Sequence, residues 1–395
     1  MTQGRAASRT HDVPRWLAFL AGGSADALED LDASAWTDAL AIAERGGVLD
    51  ALVGRLHVAD AMSLVPAELR PRLDDVDRRT AINILSNQRT FAQLARALSS
   101  VEVPVVPYKG IDLAHHAYGD PRLRPMDDID LWIRVEQVPA ALEAARRVGF
   151  AEPTATNRAI RTLRAWDGAV PLRRGDSEAV VAELHFGPFA CEWLHRAARI
   201  DRAAVWDRLQ PGSLLEHPVL RLSPEDHALE VALHATIRHD LSFVPLRQLL
   251  DLTLLARAGL DLDIVSERAV EWRVARSAGL AFALAGACFD DEPLANVGER
   301  LLAVRSSGPI PPHWGLPTPA ELVQGVRLSQ RPIARLAYEL RVTDEPGSAW
   351  RLIVGGVWPE AAWLVARYGD ATPRIRWRHV IGLATGRRPP LVTDG

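Results

Sequence analysis

Apolar residues recur at three- and four-residue spacing through LEDLDASAWTDALAIAERGGVLDALVGRL and AINILSNQRTFAQLARALSS, which predicts helices from residue 12 to about 100. The texture then changes. VEVPVVPYKG is a short β-branched run closed by Gly110, and DIDLWIR alternates apolar and polar positions as a strand does. VPAALEAARRVGF predicts a helix ending at Gly149, and GAVPLRR and AVVAELHF predict a hairpin around the polar GDSE. From about residue 191 helical spacing returns. SPEDHALEVALHATIRH opens on a Ser-Pro-Glu helix start, LRQLLDLTLLARAG stops at Gly259, and DIVSERAVEWRVARSAGLAFALAGACF continues the pattern.

Strands joined by helices and followed by a hairpin predict a small mixed β-sheet, so the expected class is α+β, with the sheet core flanked by N- and C-terminal helical regions. The expected segments are an N-terminal helical region at 1–100, the sheet core at 101–190, a helical domain closing the cleft at 191–290, and a Pro/Gly-rich linker with a helical tail at 291–395. A chain of 395 residues is long for one core, which favours several subdomains.

The net charge of −4 offers no general attraction to nucleic acid or an anionic membrane, so any basic site must be local. Two cysteines, Cys191 and Cys288, leave no disulfide scaffold and fit a reducing cytoplasm. The longest apolar run, LAFALAGACF, is about half a membrane span, so no membrane partner is expected. Nothing in the pattern indicates oligomeric state.

The stretch RPMDDIDLWIR sets three aspartates against large apolar side chains. Period-two alternation puts Asp128 and Asp130 on one face and Ile129 and Leu131 on the other, with the two acids roughly 7 Å apart. Like charges that close repel unless they are neutralised. A hard divalent cation such as Mg²⁺ or Mn²⁺ would do so, and such ions bind through one or two carboxylates together with substrate phosphates. The plainer alternative is a solvated strand end whose acids pair with Arg122, Arg124 and Arg134. Two neighbours favour the cation. Lys109-Gly110 sits where a strand turns into a helix, a place where backbone and a phosphate can approach. Glu183 is a lone acid in an apolar strand and needs a cation as partner.

VPVVPYKGIDLAHHAYGDPRLRPMDDIDLWIR, followed by ELH at 183–185, resembles the uncharacterised nucleotidyltransferase family of the polymerase-β-type nucleotidyltransferase superfamily. The resemblance spans roughly 80 to 260. It implies that Asp128 and Asp130 hold two catalytic Mg²⁺ or Mn²⁺ ions, with Glu183 as the third carboxylate. It places Lys109 and Gly110 beside the triphosphate of an NTP, with Arg124 as a bidentate phosphate donor. His185, on the face of Glu183, orients that carboxylate, touches the nucleotide, or is simply packed. The implied reaction is attack of an acceptor oxygen on the α-phosphorus with release of pyrophosphate. The acceptor, whether small molecule, peptide or RNA end, is not written in the sequence. Lys109-Gly110 stands where the wider superfamily has Gly-Gly or Gly-Ser, which leaves open a catalytically inactive nucleotide-binding scaffold or regulator.

Asp127 points away from the pair and reads as a turn residue. His115 and His116 lie mid-helix as packing or solvent residues; Asp112 and Tyr118 share that helix, and Tyr118, a base-stacking or core aromatic, reads as core. His227, His234, His239, Asp240 and Asp251 invite a rival reading, an HD-like metal phosphohydrolase, though the first His stands too close to the His-Asp pair for that class. Arg161, Arg164, Arg173 and Arg174 would form a positive funnel, and RIRWRHVIGLATGRRPP reads as a solvated basic helix or a phosphate-contacting tail.

Overall fold

Where apolar and polar residues alternate and then meet a turn, strands form: β1 (Val106–Pro107), β2 (Ile129–Trp132), β3 (Phe150–Ala151), β4 (Ala169–Arg174) and β5 (Val180–His185). The computed structural model describes residues 13–153, 168–175, 177, 179–304, 316–325 and 332–385. The five strands form one sheet in the order β1-β2-β5-β4-β3. β2 and β5 run parallel and the other neighbours antiparallel, so the sheet is mixed and the chain is α+β, with helices before and after the sheet in sequence.

One face of this sheet is apolar. Ile129, Leu131, Val170, Leu172, Ala182 and Leu184 are all buried, and burying each of the larger ones contributes about 1.5–3 kcal/mol. The alternate positions carry Asp130, Trp132, Glu183 and His185 on the other face, beside Ala169 and Pro171 of β4. Pro171 is tolerated inside β4 because, among the described residues, β3 pairs only with Arg173 and Arg174, further along the strand.

By contact density the chain divides into two units. One comprises 1–86, 109–126 and 223–330; the other comprises 87–108, 127–222 and 331–395. Both draw on several of the segments distinguished in the sequence. In the first, the helices Ala275–Phe289 and Glu292–Ala303 pack closely. Gly298 permits it, since a Cβ there would overlap the backbone of Ala283.

The second unit contains the sheet and a separate hairpin, β6 (Gln210–Leu214) and β7 (His217–Arg221). The helical texture read from residue 191 onward is interrupted here. The turn residues Leu215 and Glu216 both take positive φ, 49° and 64°, a conformation usually supplied by Asn-Gly, so the sequence carries no hairpin signal. β7 is tied to the β1 segment by the Leu220 N–H, which donates to the Val105 carbonyl at 2.9 Å. No described helix is long and apolar enough to cross a membrane. Arg161, Arg164, much of the 290–330 linker and the terminal GRRPP lie outside the described residues.

Candidate functional site

Parallel pairing sets Asp130 of β2 beside Glu183 of β5, and Trp132 beside His185. Neighbouring strands lie about 4.8 Å apart, so this register gathers Asp130, Glu183 and His185 on one patch of the sheet. The His185 Nε2 is 2.7 Å from Asp130 Oδ1 and 3.1 Å from Glu183 Oε2. One imidazole nitrogen thus serves two carboxylates. Asp130 and His185 are buried, whereas the Glu183 side chain is 27% exposed and gives the trio its opening to solvent. Tyr108 braces the group from β1's side. Its N–H donates to the Asp130 carbonyl at 3.3 Å, and its ring meets the His185 ring edge-on with centroids 5.1 Å apart.

One ligand atom from each of Asp130, Glu183 and His185 lies within 4.8 Å of the other two. A divalent cation bound at roughly 2.0–2.2 Å from each donor holds its ligands up to about 4.4 Å apart, so the trio is near the span an ion needs. Two carboxylate oxygens and one imidazole nitrogen make a donor set for Mg²⁺ or Mn²⁺ that also suits softer ions. The residues fit a metal.

Asp128 is not a member of this trio. It lies in the bend that leads into β2, half-buried, and Asp127 beside it is exposed. Asp128 immediately precedes β2, which begins at Ile129.

On β2's far end the same face continues into a cavity of about 580 Å³, lined among others by Trp132, Arg134, Phe186, His195, Arg202 and Trp206. The Arg134 guanidinium stacks over the Trp206 ring at 4.6 Å. Of the proposed funnel, Arg173 donates to the Glu152 carbonyl, and Arg174 is tied to Gln93 and Thr90 and stacks on Phe150.

Lys109, Gly110 and Arg124 belong to the other unit. Lys109 caps the Gly110–His116 helix at φ 55°, ψ −129°, a conformation that costs a non-glycine residue about 1–3 kcal/mol. Its N–H donates to His227 Nε2 at 3.1 Å, and His227 Nδ1 faces Asp112 Oδ2 at 3.4 Å. The second Asp112 oxygen is 3.1 Å from His116 Nδ1. A buried Asp–His pair thus fixes the tautomer in which Nε2 is free to accept, and that acceptor holds the strained peptide in place. Gly110 is needed on close approach, since a Cβ would come within 3.0 Å of Met126 Cβ.

Arg124, which the sequence places among the phosphate donors, is instead buried against Asp251. Its Nε and Nη2 donate to Asp251 at 2.6 and 2.9 Å, and its Nη1 donates to the Pro125 carbonyl. Tyr118 donates to the same Asp251 at 2.7 Å, and burial first, then the Asp251 charge, pushes its hydroxyl well above the ordinary tyrosine range.

Three members of the rival H…HD…D constellation are engaged by other partners. His227 is taken by Asp112 and Lys109, Asp251 by Arg124 and Tyr118, and His234 by Gln248 at 3.0 Å. Among the described residues, the group that could hold a metal is Asp130, Glu183 and His185.

Two residues of consequence, Asp112 and His227, were not among the site residues read from the sequence. The signal was present. Asp112 stands among buried Ile111, Leu113 and Ala114, and an acid in such a stretch must have a partner.

Residues 32–290 match a protein family described as an uncharacterised nucleotidyltransferase. No curated protein and no solved structure matches the chain.

Proposed function

Because the chain belongs to this uncharacterised nucleotidyltransferase family, we propose that it moves a nucleoside monophosphate from an NTP to a hydroxyl or phosphate acceptor. The acceptor oxygen forms a bond to the α-phosphorus as the bond from that phosphorus to the β-phosphate bridging oxygen breaks, and pyrophosphate leaves with the electron pair. The acceptor proton passes to Glu183, the most open of the three side chains.

Asp130, Glu183 and His185 Nε2 would hold the catalytic cation, and Asp128 would serve a second one. When bound, Mg²⁺ or Mn²⁺ would lower the acceptor's pKa and neutralise charge on the leaving phosphates. Lys109 and Gly110, at the start of the Gly110–His116 helix, are phosphate contacts in this reading. Arg124 serves a different purpose, holding the segment before β2 through Asp251. The cavity beyond Trp132 takes the acceptor, and its volume favours a small molecule or a chain end. We place the reaction in the cytoplasm, where NTPs are abundant and Cys191 and Cys288 stay free.

The observation that carries this reading is the convergence of Asp130, Glu183 and His185 on one point. The purified chain, incubated with Mg²⁺ or Mn²⁺, each labelled NTP and cell extract, is expected to label an acceptor and release pyrophosphate. Asp130→Asn should abolish both. Undiminished transfer by that variant would remove the basis of the proposal. A second reading, an inactive nucleotide-binding scaffold or regulator, draws support from the same geometry, because His185 Nε2 already stands within 2.7 and 3.1 Å of the two carboxylates. It predicts NTP binding without pyrophosphate release.

A further inference from the structure

The segment 346–385 forms three helices, Pro346–Val357, Ala361–Tyr368 and Pro373–Thr385. Their inner sides are well fixed. Ser348 Oγ donates to the Ala197 carbonyl at 3.0 Å and Arg351 Nε to the Arg196 carbonyl at 2.8 Å. Gly355 leaves space for the Arg196 guanidinium, which a Cβ would overlap. Trp363, Leu364 and Tyr368 form a small core with Ile375 packed against it. Buried His379 joins the three helices, with Nδ1 at 2.9 Å from the Tyr368 hydroxyl and Nε2 at 3.1 Å from the Gly356 carbonyl.

The outer side carries large apolar side chains as well. Trp350, Val354 and Val357 recur at i, i+4 and i+7 on the first helix, and all are exposed, Trp350 at 66%. On the last helix Arg374, Trp377, Arg378 and Ile381 make a second exposed stripe, with Trp377 at 57% and Ile381 at 56%. Trp358 and Trp377 join the two stripes, with ring centroids 5.6 Å apart and Arg376 stacked over Trp358 at 4.9 Å. Within 346–385 there are five arginines, at 351, 367, 374, 376 and 378, against Glu360 and Asp370, a local charge of +3 in a chain of −4.

We propose that this outer face docks on a bilayer surface rich in anionic phospholipid. Tryptophans and aliphatic side chains enter the headgroup boundary while arginines beside them reach the phosphates, the pattern of interfacial helices. The basic excess gives the charge complementarity. Exposed aliphatics argue against single-stranded nucleic acid, for which stacking rings and cations suffice. A symmetric contact with a second copy would crowd the same arginines of both chains together.

The test is co-sedimentation of the full chain with vesicles of phosphatidylglycerol mixed with phosphatidylcholine, against phosphatidylcholine alone. Binding should favour the anionic vesicles and weaken as salt rises. Arg374→Gln/Arg378→Gln should weaken it roughly thirtyfold, or about 2 kcal/mol for two cations at an anionic surface. Trp350→Ser/Trp377→Ser should weaken it comparably while circular dichroism and the melting temperature stay near those of the parent, since both side chains are more than half exposed. No binding to either vesicle, or equal binding to both that ignores the arginines, overturns the proposal. So does binding of a single-stranded oligonucleotide, or a dimer dissolved by the tryptophan changes, in a protein indifferent to lipid.

Discussion

Replacing His185 with alanine separates the two ways in which its Nε2 can serve the carboxylates, and the outcome follows from distances. Without metal, the imidazole stands between Asp130 and Glu183, and its loss leaves two acids facing each other at up to 4.8 Å. Their repulsion is about 3.5 kcal/mol at an effective dielectric of about 20. Because Glu183 is 27% exposed, solvent screens this to roughly 1–2 kcal/mol, and the metal-free variant should melt a few degrees lower. With metal the two roles diverge. If Nε2 is a ligand, its removal should weaken Mn²⁺ by about a hundredfold. At a concentration one hundred times the parent's Kd, the parent gains about 2.7 kcal/mol and the variant about 0.4. In thermal melts with chelator and then Mn²⁺, that is roughly a 5 °C gain against about 1 °C. A variant that gains as much as the parent from Mn²⁺, or more, would refute the ligand role. His185 would then be a stand-in cation that the metal displaces.

Other outcomes follow from the buried networks. His227→Ala leaves the Lys109 N–H without its acceptor and should cost about 1–3 kcal/mol in denaturant melts, with KM for NTP raised more than kcat is lowered; His227→Gln should recover part of the loss. Lys109→Gly relieves the positive φ and should stabilise the fold by about 1 kcal/mol while weakening NTP binding in a direct titration. Asp251→Ala abandons the buried Arg124 guanidinium and should cost about 3–5 kcal/mol, far more than Tyr118→Phe at about 1 kcal/mol. The Tyr118 hydroxyl is raised in the folded protein, so its contribution is complete below the unfolded tyrosine pKa of about 10 and is lost as pH rises above it. Stability measured from pH 9 to 11 should therefore fall less steeply in Tyr118→Phe.

Much of the sheet was legible because one face had to be apolar. Ile129, Leu131, Ala182 and Leu184 separate from Asp130, Glu183 and His185 by period alone, and acids held in such strands already imply a shared partner. Period alone did not show which acid neighbours which. Asp130 and His185 are 55 residues apart, and the parallel register of β2 on β5 sets them side by side. Nor did it show where a strand starts: β2 begins at Ile129, one residue after Asp128. β3, two residues long, has no period to read, and the β6–β7 turn is built on Leu215-Glu216, residues with no turn preference. Lys109 follows the same logic in reverse. Its backbone is held in a conformation its own side chain disfavours, by an acceptor 118 residues away, so no local rule could reveal it. What a sequence displays at such points is a residue out of keeping with its surroundings, such as Asp112 in an apolar helix or Glu183 in an apolar strand. The partner that makes it tolerable, and thereby gives it a chemical role, is chosen by long-range packing.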